Sequence, residues 1–208
     1  MPSLLSGSSV DVAPQLLGGL LHGRGVTVRL TELEAYAGET DPGSHAFRGP
    51  TPRTRIMFGA PGSLYVYFSY GMHVCANVVC SPAGEASAVL LRAGEVVDGL
   101  ELARSRRTTS RSDVDLARGP ARLCVALGIT LADDGDELVS GPIRLELPTR
   151  AAPAVARGPR TGVSGVGGSD AYPWRFWIPG DPTVSPYKAS ARRTGARHPS
   201  PVTRPAAR

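Results

Sequence analysis

The chain has 208 residues, is 41% apolar and carries a formal net charge of +5. This length and apolar content suit one buried domain with tails and exclude a disordered polar chain. No apolar run approaches a membrane span, and no basic region precedes an apolar run at the N-terminus, so neither a membrane protein nor a secretory leader is expected. Cys75, Cys80 and Cys124 lack paired or metal-type spacing and read as small buried residues of a reduced compartment, hence a cytoplasmic protein, nucleoid-associated if bacterial.

The charge is unevenly placed. Residues 190–208 hold five arginines (Arg192, Arg193, Arg197, Arg204 and Arg208) and no acid; removing them leaves 18 basic against 18 acidic residues. The basic character therefore belongs to the tail. Two further clusters lie within the body: Arg48, Arg53 and Arg55, and then Arg104, Arg106, Arg107 and Arg111. Each reads either as solvated loop charge or as nucleic-acid contact.

In chain order, residues 1–10 are expected to be a flexible end. Asp11 is a helix cap, with Leu16, Leu17, Leu20 and Leu21 on one side of the helix it opens and Gly23 and Gly25 as its stop. A strand from Val26 to Glu34 follows. Its alternation places Val26, Val28, Leu30, Glu32 and Glu34 on one face, so two carboxylates run from a buried face toward its open end. Such carboxylates are rarely buried without a reason, although exposed edge charge is the plainer reading. Turns at Gly38 and Pro42-Gly43 then present His45 on a loop.

Residues 49–52 are a loop and 54–58 one helical turn. Strands are predicted over 62–70, 73–80 and 86–92, which form an antiparallel meander. Asp98 caps a helix reaching Arg107. Pro120 opens another, with Leu123, Cys124 and Leu127 as its stripe and Gly128 as its stop. Strands follow over 143–147 and 174–178, separated by a loop and a glycine-rich segment, residues 160–168. The sequence beyond Lys188 reads as a disordered basic tail, residues 189–208. The expected fold class is α+β: one compact domain, residues 11–188, with a mostly antiparallel curved sheet and surrounding helices.

Tyr65, Tyr67, Phe68 and Tyr70 crowd into one strand of a chain with only 6% aromatic residues. Strand packing explains this, and so does a base-stacking site beside arginines. Glu34, Asp41 and His45 form a weak metal trio without a second histidine at helical spacing.

Several blocks are read together. Glu32-Leu33-Glu34-Ala35-Tyr36, His45, Thr51-Pro52-Arg53-Thr54-Arg55 and Met57-Phe58 form the first. Pro61 to Tyr67, Tyr70-Gly71-Met72 and Asn77 form the second. Leu90-Leu91-Arg92-Ala93, Gly119-Pro120 with Leu123-Cys124, Arg160, Gly162-Val163 and Arg175-Phe176 complete the series. In unbroken order over roughly residues 12–188, this resembles the mammalian-type alkyladenine (3-methyladenine) DNA glycosylase family.

The resemblance implies a monofunctional enzyme that flips a damaged purine from duplex DNA and hydrolyses its glycosidic bond. It implies no cofactor, metal or lyase amine, no membrane, and a monomer. It makes Glu34 the general base, with Glu32 a competing carboxylate outside the matching position, and Arg92 its neighbour beside the target nucleotide. It makes Tyr36, His45 and Tyr67 pocket walls, and Asn77 the residue that crowds out guanine's exocyclic amine. Tyr70 becomes the wedge that fills the vacated stack, with Met72 beside it, while Arg53, Arg55 and Thr161 contact the DNA backbone. There are two departures, of which the first bears on the damage range. The loop after His45 is one residue short, with Ala46-Phe47 where a smaller, more polar pair is usual, and Thr161 replaces a valine. A catalytically silent damage-binding protein and a metal-dependent hydrolase on the Glu34, Asp41, His45 trio stay open as other readings.

Overall fold

The central strand runs the length of the molecule and is not a simple alternation. In the computed structural model, which describes residues 2–69, 71–152 and 154–190, strand β2 spans Val26–Tyr36. Its pairing with β5 (Ala88–Asp98) shifts register between Leu30 and Glu32 and again between Glu32 and Leu33. The irregularity reverses the phase of the strand. Val26, Val28 and Leu30 point into the main core, and so do Leu33 and Ala35. Glu32 and Glu34 therefore leave the face of Val26–Leu30, on which the sequence alternation had placed them, and project from the opposite side.

The remaining strands are β1 (Leu20–Gly23), β3 (Leu64–Ser69), β4 (His73–Val79), β6 (Ile143–Glu146), β7 (Ala156–Gly158) and β8 (Arg175–Trp177). The sheet order is β3-β4-β5-β2-β1-β6, with β8 pairing both β2 and β7. Every pairing is antiparallel. This is the expected α+β domain, and its β3-β4-β5 portion is the predicted meander.

Helices α1 (Pro2–Leu5), α2 (Ser9–Leu16), α3 (Leu100–Arg106) and α4 (Pro120–Leu127) accompany the sheet. Leu16, Leu123, Cys124 and Leu127 join Val28, Leu33, Val78 and Leu91 in the main core. No helix among the described residues is long and apolar enough to cross a membrane.

Three local expectations change. The first helix is capped by Ser8, whose hydroxyl accepts the Asp11 N–H, and it ends at Leu16. Leu20 and Leu21 belong instead to β1, because Gly18 takes φ +84° and breaks the helix between the leucine pairs. The first residues are not loose: Leu5 is buried, and the Ser81 N–H donates to the Leu5 and Gly7 carbonyls at 3.0 Å each. Asp98 ends β5 rather than capping α3; Gly99, at φ +73°, makes that turn. Residues 191–208, and with them the arginine-rich tail, lie outside the described residues.

Gly38 fixes the exit of β2. It is buried at φ +58°, and a Cβ there would collide with the Ala86 carbonyl. Gly38→Ala combines left-handed backbone strain with overpacking, each worth about 1–3 kcal/mol. Urea unfolding of the variant is expected to report a loss of about 2–4 kcal/mol; an unchanged midpoint would show that the loop relaxes freely.

Candidate active site

The sheet face opposite the main core carries polar and aromatic groups. Alternation sends Tyr65 and Tyr67 from β3, Cys75 and Asn77 from β4, Leu90 and Arg92 from β5, and Glu34 and Tyr36 from β2 into one cavity of about 720 Å³. Loop residues Pro42, Gly43, His45 and Arg53 close one side, and Thr161, Gly162 and Val163 the other.

One buried carboxylate, Glu34, lines the floor, and a second, Glu32, lies behind it. Glu32 Oε1 accepts from Arg92 Nε at 2.9 Å and from Arg175 Nε at 2.6 Å, and its Oε2 accepts the Ser185 N–H at 2.6 Å. Burial pushes the Glu32 carboxyl upward, but Arg92 and Arg175 with the Ser185 N–H more than offset it, so the group lies below the usual carboxylate range. Arg92 also reaches Glu34: Nη1 is 3.3 Å from Glu34 Oε1. Burial lowers Arg92, and the charges of Glu34 and Glu32 then raise it further, so it stays charged.

Glu34 differs from Glu32 in facing the cavity. Its Oε1 accepts the Thr161 N–H at 2.6 Å, and its Oε2 accepts the Tyr36 hydroxyl at 2.9 Å. Burial, then the Glu34 charge, hold the Tyr36 phenol well above its usual range, so it remains a donor. The guanidinium of Arg160 lies 4.5 Å from the Tyr36 ring centre. Arg160 is fully buried and holds Asp41 through two bonds of 2.5 and 2.6 Å, while also donating to the carbonyls of Ala35 and Gly167. This pair ties the end of β2 to the loop that delivers the Thr161 N–H. Thr161 Oγ1 is the buried side-chain polar atom left without a partner among the described residues.

The walls are aromatic. His45 meets Tyr67 edge-on at 4.6 Å, and Tyr65 stacks on Tyr67 at 5.4 Å. Burial and then the Arg53 charge lower His45, so its imidazole is neutral at pH 7. Asn77 is fixed by donating from Nδ2 to the Tyr65 carbonyl at 3.0 Å.

Glu34, Arg92, Tyr36, His45, Tyr67, Asn77, Arg53 and Thr161 thus converge on one cavity. Met72 lies outside it, at the β3–β4 turn, and is 72% exposed. Arg55 stands exposed at the start of the helical turn Arg55–Phe58, the turn expected over residues 54–58. Tyr70 lies outside the described residues.

The metal trio does not assemble. Asp41 gives its oxygens to Arg160 and to the N–H groups of Ala37 and Gly43, and no group of three His, Cys, Asp or Glu side chains among the described residues could hold a metal. In the second arginine cluster, Arg104 pairs with Glu101 and Asp113, and Arg107 with Asp115. Arg106 donates to the carbonyls of Ala126 and Arg24. That cluster is largely taken up by the fold, whereas Arg48, Arg53 and Arg55 have no carboxylate partner among the described residues.

The model of the methylpurine-DNA glycosylase family matches residues 3–182. The chain belongs to the methylpurine-DNA glycosylase family. It is accordingly a DNA glycosylase, a hydrolase acting on N-glycosyl bonds.

Relatives named as candidate 3-methyladenine DNA glycosylases are similar over most of both chains. One from Leifsonia xyli subsp. xyli is 62% identical, covering 87% of this chain and 89% of its own. One from Streptomyces avermitilis is 55% identical, covering 88% and 89%. One from Mycobacterium tuberculosis is 49% identical, covering 88% and 91%.

Sequence reasoning about this glycosylase missed Arg160, Asp41 and Arg175 as the residues that fix the cavity floor. Their only signals were a buried-strand acid pair in need of cations and an arginine heading a glycine-rich loop.

Glu32 supplies the pH test. Because folding holds its carboxyl below the ordinary value of 4.5, its stabilising contribution is complete above that value and is lost as pH falls through the folded one. Glu32→Gln leaves buried Arg175 without its carboxylate and Arg92 with Glu34 alone, and is expected to cost about 3–5 kcal/mol at pH 7. The gap from wild type should narrow on acidification below the ordinary carboxylate range. A gap that stays flat from pH 7 to pH 3 would place the charge elsewhere.

Proposed function

We propose that this glycosylase flips an alkylated or otherwise damaged purine out of duplex DNA into the cavity and cleaves its glycosidic bond with water, as a monofunctional enzyme acting as a monomer. The observation that carries the reading is Glu34, a buried carboxylate held by Tyr36, Thr161 and Arg92 at the floor of an aromatic cavity.

As the base departs, the sugar becomes oxocarbenium-like. A fixed carboxylate stabilises that charge and takes the proton of the attacking water. Arg92 keeps Glu34 oriented beside the target nucleotide. Tyr36, His45 and Tyr67 offer ring surfaces to the flipped base, and a cationic alkylated purine gains from their π-density. Asn77, held by the Tyr65 carbonyl, presents its bulk where guanine's exocyclic amine would lie. Exposed Met72 is read with Tyr70 as the wedge that refills the stack, and Arg53, Arg55 and Thr161 as contacts to the DNA backbone. The 3-methyladenine in the relatives' names makes that lesion the first to assay.

Glu34→Gln keeps the shape and removes the base. Release of 3-methyladenine from duplex DNA is expected to fall by about 10²–10⁴-fold with binding to damaged duplex retained. In the same reactions, borohydride is expected to trap no covalent adduct with wild type. Near-normal release by the Gln variant would move the role to another group, and a trapped adduct that disappears in Lys188→Ala would assign an amine-dependent lyase step.

Asn77→Ser is expected to widen the substrate range toward guanine-type lesions at little cost in stability. Scoring a panel of methylated, etheno and deaminated purines checks this; an unchanged preference would leave Asn77 a sheet residue only.

A further inference from the structure

Arg53 occupies a place that the reading above reserves for a base. Its guanidinium carbon lies 5.2 Å from the centre of the Tyr67 ring. Its Nη2 donates to the Phe68 carbonyl at 3.3 Å. Among the described residues the Tyr67 ring therefore has three ring or cation partners. Tyr65 is fixed in the same strand, and His45 is held by its loop with Nδ1 3.4 Å from the Tyr65 hydroxyl. Among the described residues, Arg53 alone reaches the ring on a long flexible stem from an exposed loop position, and it has no carboxylate partner there to hold it.

A guanidinium is flat and cationic, as an alkylated purine is, so the same ring surface suits both. The two positive groups cannot share that slot. What draws the arginine away must be an anion outside the cavity, and a planar, bidentate guanidinium is well matched to phosphate. Lowering of His45 by the Arg53 charge is consistent with a guanidinium resident among the pocket walls in the DNA-free protein.

We propose that Arg53 is a placeholder: its guanidinium stacks on Tyr67 in the DNA-free enzyme and yields the slot to the target base by moving to a backbone phosphate. The inference rests on the cavity being the base pocket. It makes Arg53 a specificity residue of an unusual kind. A free base or nucleoside must displace the guanidinium with nothing to receive it, whereas a base still attached to duplex DNA brings the receiving phosphate. The slot is thereby biased toward bases in polymer and away from free purines.

The test compares wild type with Arg53→Ala in two titrations. The first adds the fluorescent free base 1,N6-ethenoadenine. The second adds undamaged duplex DNA over a series of salt concentrations. The variant is expected to bind the free base about fivefold more tightly, the weight of one partly exposed cation–π contact. It is expected to bind duplex more weakly, with a log–log salt slope shallower by about 0.9, one phosphate contact. Free-base affinity that is unchanged or weaker in the variant, or absent in both proteins, overturns the placeholder. An unchanged duplex salt slope overturns the transfer to phosphate. The catalytic reading is tested separately by Glu34→Gln, so loss of that reading and loss of this one give different results.

Discussion

The irregularity in β2 is the constraint on which the rest of the structure depends. A strand that alternated without interruption would carry Glu32 and Glu34 on the side of Val26, Val28 and Leu30, inside the helix-covered core. The shifted pairing with β5 lets Leu33 and Ala35 continue that core and turns both carboxylates onto the opposite face. Two buried acids then need partners, because an unpaired buried charge costs several kcal/mol or more. Arg92 from β5, Arg175 from β8 and the Ser185 N–H meet that need, and they determine which strands and loops must surround the cavity.

The two carboxylates divide the work by position. Glu32 spends its acceptor capacity on two guanidiniums and one backbone N–H, away from the cavity. Glu34 shares Arg92 with it, takes one backbone N–H and one phenol, and faces the open space. One acid thus holds the arginine that orients the other. Arg160 and Asp41 perform the corresponding service on the far side, binding the end of β2 to the glycine-rich loop so that the Thr161 N–H meets Glu34. The cavity floor is therefore rigid, while its mouth carries residues on loops and flexible stems.

Much of this was legible in the sequence. The β3-β4-β5 meander follows from aromatic and β-branched runs separated by turn residues, and α4 follows from Pro120, its apolar stripe and Gly128. Glu34, Arg92 and the aromatic walls came from the order of short blocks along the chain. The phase change in β2 was not legible, because local alternation continues through Thr31 and only pairing with β5 displaces it. Leu20 and Leu21 fit a helical stripe as well as a strand, and the pairings that make them a strand, with β2 and with the distant β6, leave no mark in their own local pattern. Arg160 reads as a solvated loop charge until Asp41 is placed beside it. Arg175 sits in a three-residue strand too short to give a pattern.

Sequence distance adds a temporal aspect to the charge network. Arg175 is 143 residues from Glu32 along the chain, and Ser185 is 153. During synthesis the β2 carboxylates emerge long before Arg175 and Ser185, two of the groups that hold Glu32. The β3-β4-β5 meander can pair early from local contacts, but the cavity floor must wait for the segment through Ser185. Until then Arg92 is the guanidinium within reach of both acids. A chain interrupted before Arg175 therefore lacks two of the three groups that hold Glu32.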